Sequence, residues 1–208
     1  MTVIFADKYI TVCVKSSGEL SEDMPNKKGL PSIIKEELSL DYVGTVHRLD
    51  KETSGLMVYA NTPDAAAELS QQITSGEFGK EYFAVVSGEL DEPSGIWQDF
   101  IFRDAKSNRS YVVKRERKGV RRASLEYEVL KSNGELSLMH FILHTGRTHQ
   151  IRVQSASRGM SVAGDRKYGS KLNGDLALMS CALKFRHPKT KKPMTFTLPL
   201  PSFAPWNF

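Results

Sequence analysis

The chain has 208 residues, 40% of them hydrophobic, which is enough to bury a substantial core. Twenty-nine basic residues against 24 acidic ones leave a net charge of +5, which favours contact with a polyanion such as nucleic acid. No apolar run approaches the ~18 residues of a membrane span, and the first residues lack the basic patch, apolar stretch and cleavage site of a secretion signal, so a cytoplasmic location is expected. Cys13 and Cys181 belong to no paired-cysteine motif; two buried, reduced thiols are expected rather than a disulfide or a thiolate metal site.

In chain order, Thr2 to Phe5 and Ile10 to Lys15 read as a hairpin turning at Asp7 and Lys8. A polar stretch from Ser16 to Gly29 follows. Pro31 suits the first turn of a helix running through Leu38, with Ile34 and Leu38 on one face. The polar segment His47 to Gly55 precedes an apolar strand, Leu56 to Tyr59. Thr62 and Pro63 supply a cap and a first-turn proline for a helix through Ile73, which Gly76 ends. Glu81 to Val86 reads as a buried strand. From Arg103 to Arg122 the chain is strongly basic, with Arg115, Arg117, Arg121 and Arg122 as candidate contacts to an RNA backbone.

Two alternating strands come next. Leu125, Tyr127 and Val129 share one face of the first, Leu136, Leu138 and Ile142 one face of the second, and Asn133-Gly134 supplies the turn of an antiparallel pair. Thr148 to Gly159 reads as a short helix. Leu183 to Phe185 and Met194 to Leu198 form a closing hairpin, with Pro188 in its turn. No repeat is visible and no stretch looks like a linker. The expected class is α+β, a mixed, largely antiparallel sheet flanked by helices and loops, in a single catalytic domain over residues 1–208.

The chemistry concentrates in His47-Arg48-Leu49-Asp50-Lys51-Glu52-Thr53-Ser54-Gly55. A carboxylate lies between cations, whose positive charge favours its ionised form, and Gly55 permits a tight backbone path. A surface ion pair has the same local composition. The nonapeptide resembles the nucleophile motif of RluA-type RNA pseudouridine synthases, His-Arg-Leu-Asp, two variable residues, then Thr-Ser-Gly. Further matches follow in order: Val3 to Lys15 resembles the opening hairpin, Lys80-Glu81-Tyr82 the Lys-x-Tyr strand, and His144 to Arg152 the arginine motif. Gly164-Asp165 with Tyr168-Gly169 resembles the turn after it, and Leu183, Phe185, His187 and Pro188 the last motif.

The resemblance implies roles for particular residues. Asp50 is the catalytic carboxylate, attacking the ribose or removing a sugar proton while the base is detached, turned and rejoined through carbon. Arg152 pairs with it. Tyr82 stacks on the target base and assists proton removal at C5, Leu183 forms the other wall of the base pocket, and Arg48 enters the space the extruded nucleotide leaves. Arg147, His149 and Gln150 are implied to bind substrate. No cofactor is expected. The implied partner is structured RNA, ribosomal slightly favoured over transfer RNA, met by a monomer without membrane or metal. The opening hairpin at Thr2 leaves no room for a separate amino-terminal RNA-binding domain. A base inside a stem is out of reach of a carboxylate, so the reaction requires the nucleotide to be flipped out.

The sequence departs from the pattern at Ser16-Ser17-Gly18, at Gln154 and at Met179, which bears on RNA contact rather than on the reaction. Two rival readings are a non-catalytic RNA-binding protein on the same fold and a metal hydrolase using His140, His144 and His149. On a strand, His140 and His144 would lie about 13 Å apart, too far for one ion.

Overall fold

The computed structural model describes all residues, 1–208. The chain divides into two compact units: Met1–Lys80 with Met179–Pro199, and Glu81–Leu178 with Leu200–Phe208. The divisions at Lys80 and Leu178 fall inside regular strands, so no shift in composition marks them. No helix is long and apolar enough to cross a membrane.

In the first unit, β1 (Thr2–Ala6) and β2 (Ile10–Lys15) form the expected antiparallel hairpin. Asp7 makes the turn by accepting hydrogen bonds from the backbone N–H of Tyr9 and Ile10, at 2.7 and 2.8 Å. β2 pairs antiparallel with β4 (Ser54–Ala60), and β10 (Leu178–Arg186) joins β4 in parallel through Met179 opposite Ser54 and Ser180 opposite Gly55. β11 (Pro193–Thr197) pairs with β10, and the two-residue β3 (Gly44–Thr45) with β4. The sheet is therefore mixed.

Two helices accompany it. α1 (Leu30–Glu37) carries its proline in the first turn. α2 (Pro63–Ser75) begins as expected, with Thr62 Oγ1 accepting from Ala65 N, and ends at Gly76 in the left-handed conformation at φ 81°. Ala65 and Leu69 of α2 pack on Ile10, Val12, Leu56 and Val58 of the sheet, and Leu183 lies in the same cluster. Burying aliphatic side chains this size stabilises by roughly 1.5–3 kcal/mol each, which is the force seating α2 on the sheet.

The second unit is antiparallel throughout. β5 (Gly79–Ser87) pairs with β9 (Leu136–Leu143), β9 with β8 (Val120–Ser132), β8 with β6 (Ser94–Asp104), and β6 with β7 (Arg109–Val113). The β8–β9 turn is the predicted one: Asn133 Oδ1 accepts from the N–H of Glu135 and Leu136, and Gly134 has φ 88°. α3 (Gln150–Ser157) packs Val153 against Ile101 and Ala123.

The sequence pattern missed β6, β7 and the first turn-proximal residues of β8. On β6 the buried Trp97 and Ile101 share a face with Asp99, which interrupts the apolar alternation, on β7 the buried residue is Ser110, and at the start of β8 the exposed Arg121 and Arg122 separate Val120 from Ala123. On β9 the deepest apolar side chains are Met139 and Phe141, on the face opposite Leu136, Leu138 and Ile142.

Candidate functional site

In the first unit the segment around Asp50 is held from both sides. Ser21 Oγ donates to the Leu49 carbonyl at 2.8 Å and accepts from the Leu49 N–H at 3.1 Å, while Leu49 itself is buried. Tyr59 OH in turn donates to the Ser21 carbonyl at 3.0 Å. On the other side the Lys51 carbonyl accepts from Lys15 Nζ and from Gly18 N, both at 2.8 Å, and Thr53 N donates to the Asp50 carbonyl at 3.1 Å. The backbone on each flank of the half-buried Asp50 is thus fixed by reciprocal bonds, which limits the reorganisation the carboxylate needs to act.

Lys15, read from sequence only as part of an opening strand, is fully buried there. Burial pushes its ammonium down to about 8, against the pull of Glu19, Glu52 and Asp50. Gly55 explains the end of the motif. Its φ is +111°, and a Cβ at this position would collide with the Ser180 main chain on the adjacent strand, so glycine is required where β4 and β10 meet in parallel.

His47, the first residue of the motif, serves the frame. Its Nε2 accepts from Val58 N at 3.1 Å and its ring lies 5.4 Å from that of Phe78. Burial, with the Lys80 charge, pushes the imidazole down to about 3. The sign follows: the unfolded chain takes up a proton below about 6.5 while the folded one does not until about 3, so stability present at neutral pH is lost as pH falls through that window. Between pH 7 and pH 5 the wild type is expected to lose about 2 kcal/mol more unfolding free energy than His47→Gln, measured by urea titration; parallel pH profiles would contradict this.

Arg48 is exposed and paired with Glu22 at 3.1 Å. Leu183 contributes no accessible surface, lying entirely in the core of the first unit. Cys13 and Cys181 are free and buried, as expected, and burial pushes the Cys13 thiol up to about 12.

In the second unit Tyr82 sits on β5 opposite Phe141 and is 6% exposed. Arg152 on α3 is 4% exposed and grips Asp165 with two charge-assisted bonds, Nε to Oδ2 at 2.6 Å and Nη2 to Oδ1 at 2.9 Å. Asp165 also receives the Tyr168 N–H at 3.3 Å, and the Arg152 guanidinium lies 5.4 Å from the Tyr168 ring centre. Tyr168 OH accepts from Ser110 N at 2.7 Å and meets His149 Nδ1 at 2.8 Å. The turn that sequence marked only as Gly164-Asp165 and Tyr168-Gly169 is thereby the support of Arg152 and His149.

Gln150 is spent on its own loop: its Oε1 accepts from Thr145 Oγ1 at 2.7 Å and Arg147 N at 3.0 Å, and its Nε2 donates to the Ser124 carbonyl at 3.1 Å. Arg147 is exposed and donates from Nε to the Arg122 carbonyl at 2.9 Å. Gln154 pairs with Asp99 at 2.6 Å, which gives this departure from the family pattern a structural partner. Arg115, Arg117, Arg121 and Arg122 are all exposed, the first two in the turn before β8 and the others on alternate faces of that strand. The three histidines of the metal reading go to three different partners: His140 to Glu81, His144 to Glu126, His149 to Tyr168.

Residues 8–157 match the family model described as RNA pseudouridylate synthase. An uncharacterized RNA pseudouridine synthase of Bacillus subtilis is 38% identical over 161 residues, covering 76% of this chain and 52% of that protein. The ribosomal large subunit pseudouridine synthase D of Borreliella burgdorferi is 35% identical over 140 residues, 67% of this chain and 42% of that protein. The chain spans about half the length of these curated relatives. Among solved structures, human RNA pseudouridylate synthase domain containing 4 shares the fold, with a TM-score of 0.80 at 22% identity over 96% of this chain and 88% of that one.

Proposed function

This chain belongs to the RNA pseudouridylate synthase family, and from that premise we propose that it isomerises uridine to pseudouridine within RNA, with Asp50 as the catalytic carboxylate. The observation that carries the reading is the double anchoring of the Asp50 backbone, by Ser21 at Leu49 and by Lys15 and Gly18 at Lys51. In the reaction the C1′–N1 glycosidic bond breaks and a C1′–C5 bond forms. The C5 proton leaves, and N1 ends the cycle protonated. Cleavage builds positive charge on the ribose, and a held carboxylate stabilises it whether it attacks the sugar or removes a sugar proton. One carboxylate suffices because the detached base returns as the acceptor.

On this reading Tyr82 stacks on the uracil and assists loss of the C5 proton, and Arg152 is the cation that favours the ionised carboxylate. Arg48, Arg147 and His149 meet the substrate, while Gln150 acts through the loop it braces. Ribosomal RNA is the favoured substrate, a choice supported by the ribosomal large subunit name borne by the Borreliella relative. No cofactor takes part. The exposed arginines make the encounter electrostatic, so RNA affinity is expected to fall steeply between 50 and 200 mM salt, by about ten-fold for every two phosphates neutralised. Affinity insensitive to salt would refute the phosphate contacts.

The direct test is to map pseudouridine in total RNA from cells with and without the gene, then to restore the missing site with purified protein. Loss and restoration of a discrete ribosomal site is the expected result. Unchanged maps together with inert purified protein would overturn the activity.

A further inference from the structure

We propose that the outer face of strands β6, β7 and β8 is a stacking platform for unpaired RNA bases, built from aromatic rings capped by arginines. This deepens the function proposed above and rests on it for the choice of RNA as partner. Phe100 and Phe102 lie on one face of β6; Arg122 of β8 is directly opposite Phe100, and Tyr111 of β7 directly opposite Phe102. Each ring carries a guanidinium. Arg122 lies 5.5 Å from the Phe100 centre and Arg117 5.6 Å from Phe102, while the half-buried Arg109 lies between Tyr111 and Tyr168, 5.5 and 5.2 Å from their ring centres.

The other face of the same strands is ordinary core, where Ile101 and Ala123 pack under Val153 and Tyr168. On the aromatic face Phe100 and Phe102 are half-buried, each beside its arginine. Tyr111 is 42% exposed, and the Arg122 side chain is 77% exposed although Glu116 lies 3.3 Å from it.

Charge decides the occupant. Three cations over three rings disfavour an apolar protein partner, which would strand the guanidinium groups. A perfect duplex offers them phosphates and leaves the rings unused. An unpaired nucleotide uses both, since its base stacks on a ring or a guanidinium plane and its phosphate takes the charge. Stacking tolerates any base, so the platform holds the single-stranded flank of a target without reading its sequence.

The test measures anisotropy of a labelled twelve-nucleotide single strand and of the same sequence as a perfect duplex, with the full chain. The triple change Phe100→Leu, Phe102→Leu and Tyr111→Leu keeps apolar bulk and removes the rings. It is expected to weaken single-strand binding by about ten-fold or more while duplex binding stays within two-fold. Arg117→Gln with Arg122→Gln is expected to weaken both. Tyr111→Leu alone, at an exposed position, tests the idea should the triple variant fail to fold, with a loss of about three-fold or more expected for the single strand only.

Equal losses for the two probes, or none, overturn the platform. So does self-association of the wild type that Tyr111→Leu abolishes, because the occupant would then be a second copy. Binding is read without catalysis, so the two failures are distinguishable: an inert enzyme that still prefers single strands leaves the platform standing, and an active enzyme whose ring variants bind single strands as wild type does overturns it.

Discussion

Asp50→Asn is expected to lower the rate of uridine isomerisation by at least about a thousand-fold while leaving RNA affinity within a few-fold of wild type. The amide has nearly the same size and fits the same loop, whose backbone is held at Leu49 by Ser21 and at Lys51 by Lys15 and Gly18. What disappears is the negative charge facing a sugar that becomes cationic as its glycosidic bond opens, and with it the only group assigned to bond or take a proton there. Single-turnover measurement with saturating enzyme separates the two effects, since weak binding is then masked and a chemical defect is not. A variant that modifies RNA as fast as wild type would remove Asp50 from the chemistry. Parallel loss of affinity and rate would mean that the residue is a binding contact.

Asp165→Leu is expected to destabilise the protein by about 3–5 kcal/mol, read from urea unfolding. The Arg152 guanidinium is 4% exposed and donates two short bonds to this carboxylate, so removing the anion takes two charge-assisted acceptors from a cation that solvent barely reaches. The same change deletes the cap on the Tyr168 N–H and loosens the short turn carrying the Tyr168 ring. Arg152→Met combined with Asp165→Leu is expected to recover much of that loss, because two packed apolar side chains replace a buried ion pair that has lost one member. A single variant within about 1 kcal/mol of wild type would show that the pair contributes geometry and little energy. The activity readout runs the other way: the double variant, though stable, is expected to be catalytically poor, since it lacks the guanidinium assigned to favour an ionised Asp50. A pH-rate profile identical to wild type would separate Arg152 from that role.

Much of the frame was legible in residue order. The Asp7 turn, the Thr62 cap with Gly76, and the Asn133-Gly134 turn are local chemistry, each decided by a side chain and the backbone within a few residues of it, so each appears where the pattern places it. β6 and β7 were not legible. On β6 Asp99 interrupts the buried face that Trp97 and Ile101 share, and on β7 that face carries Ser110, whose partners Tyr168 and Thr148 lie far off in sequence.

By itself, the order of residues determined the family, the position of the carboxylate in its loop and the antiparallel hairpins of a mixed sheet, because motif spacing and turn chemistry act over short stretches of chain. Only the tertiary structure decided that Ser21, 28 residues before Leu49, and Lys15 pin the loop, that Arg152 is held by Asp165, and that Gln150 serves its own turn. Hydrogen bonds between residues distant in sequence leave no periodic trace, and a polar side chain carries no mark of the partner it will meet until folding has removed the water between them.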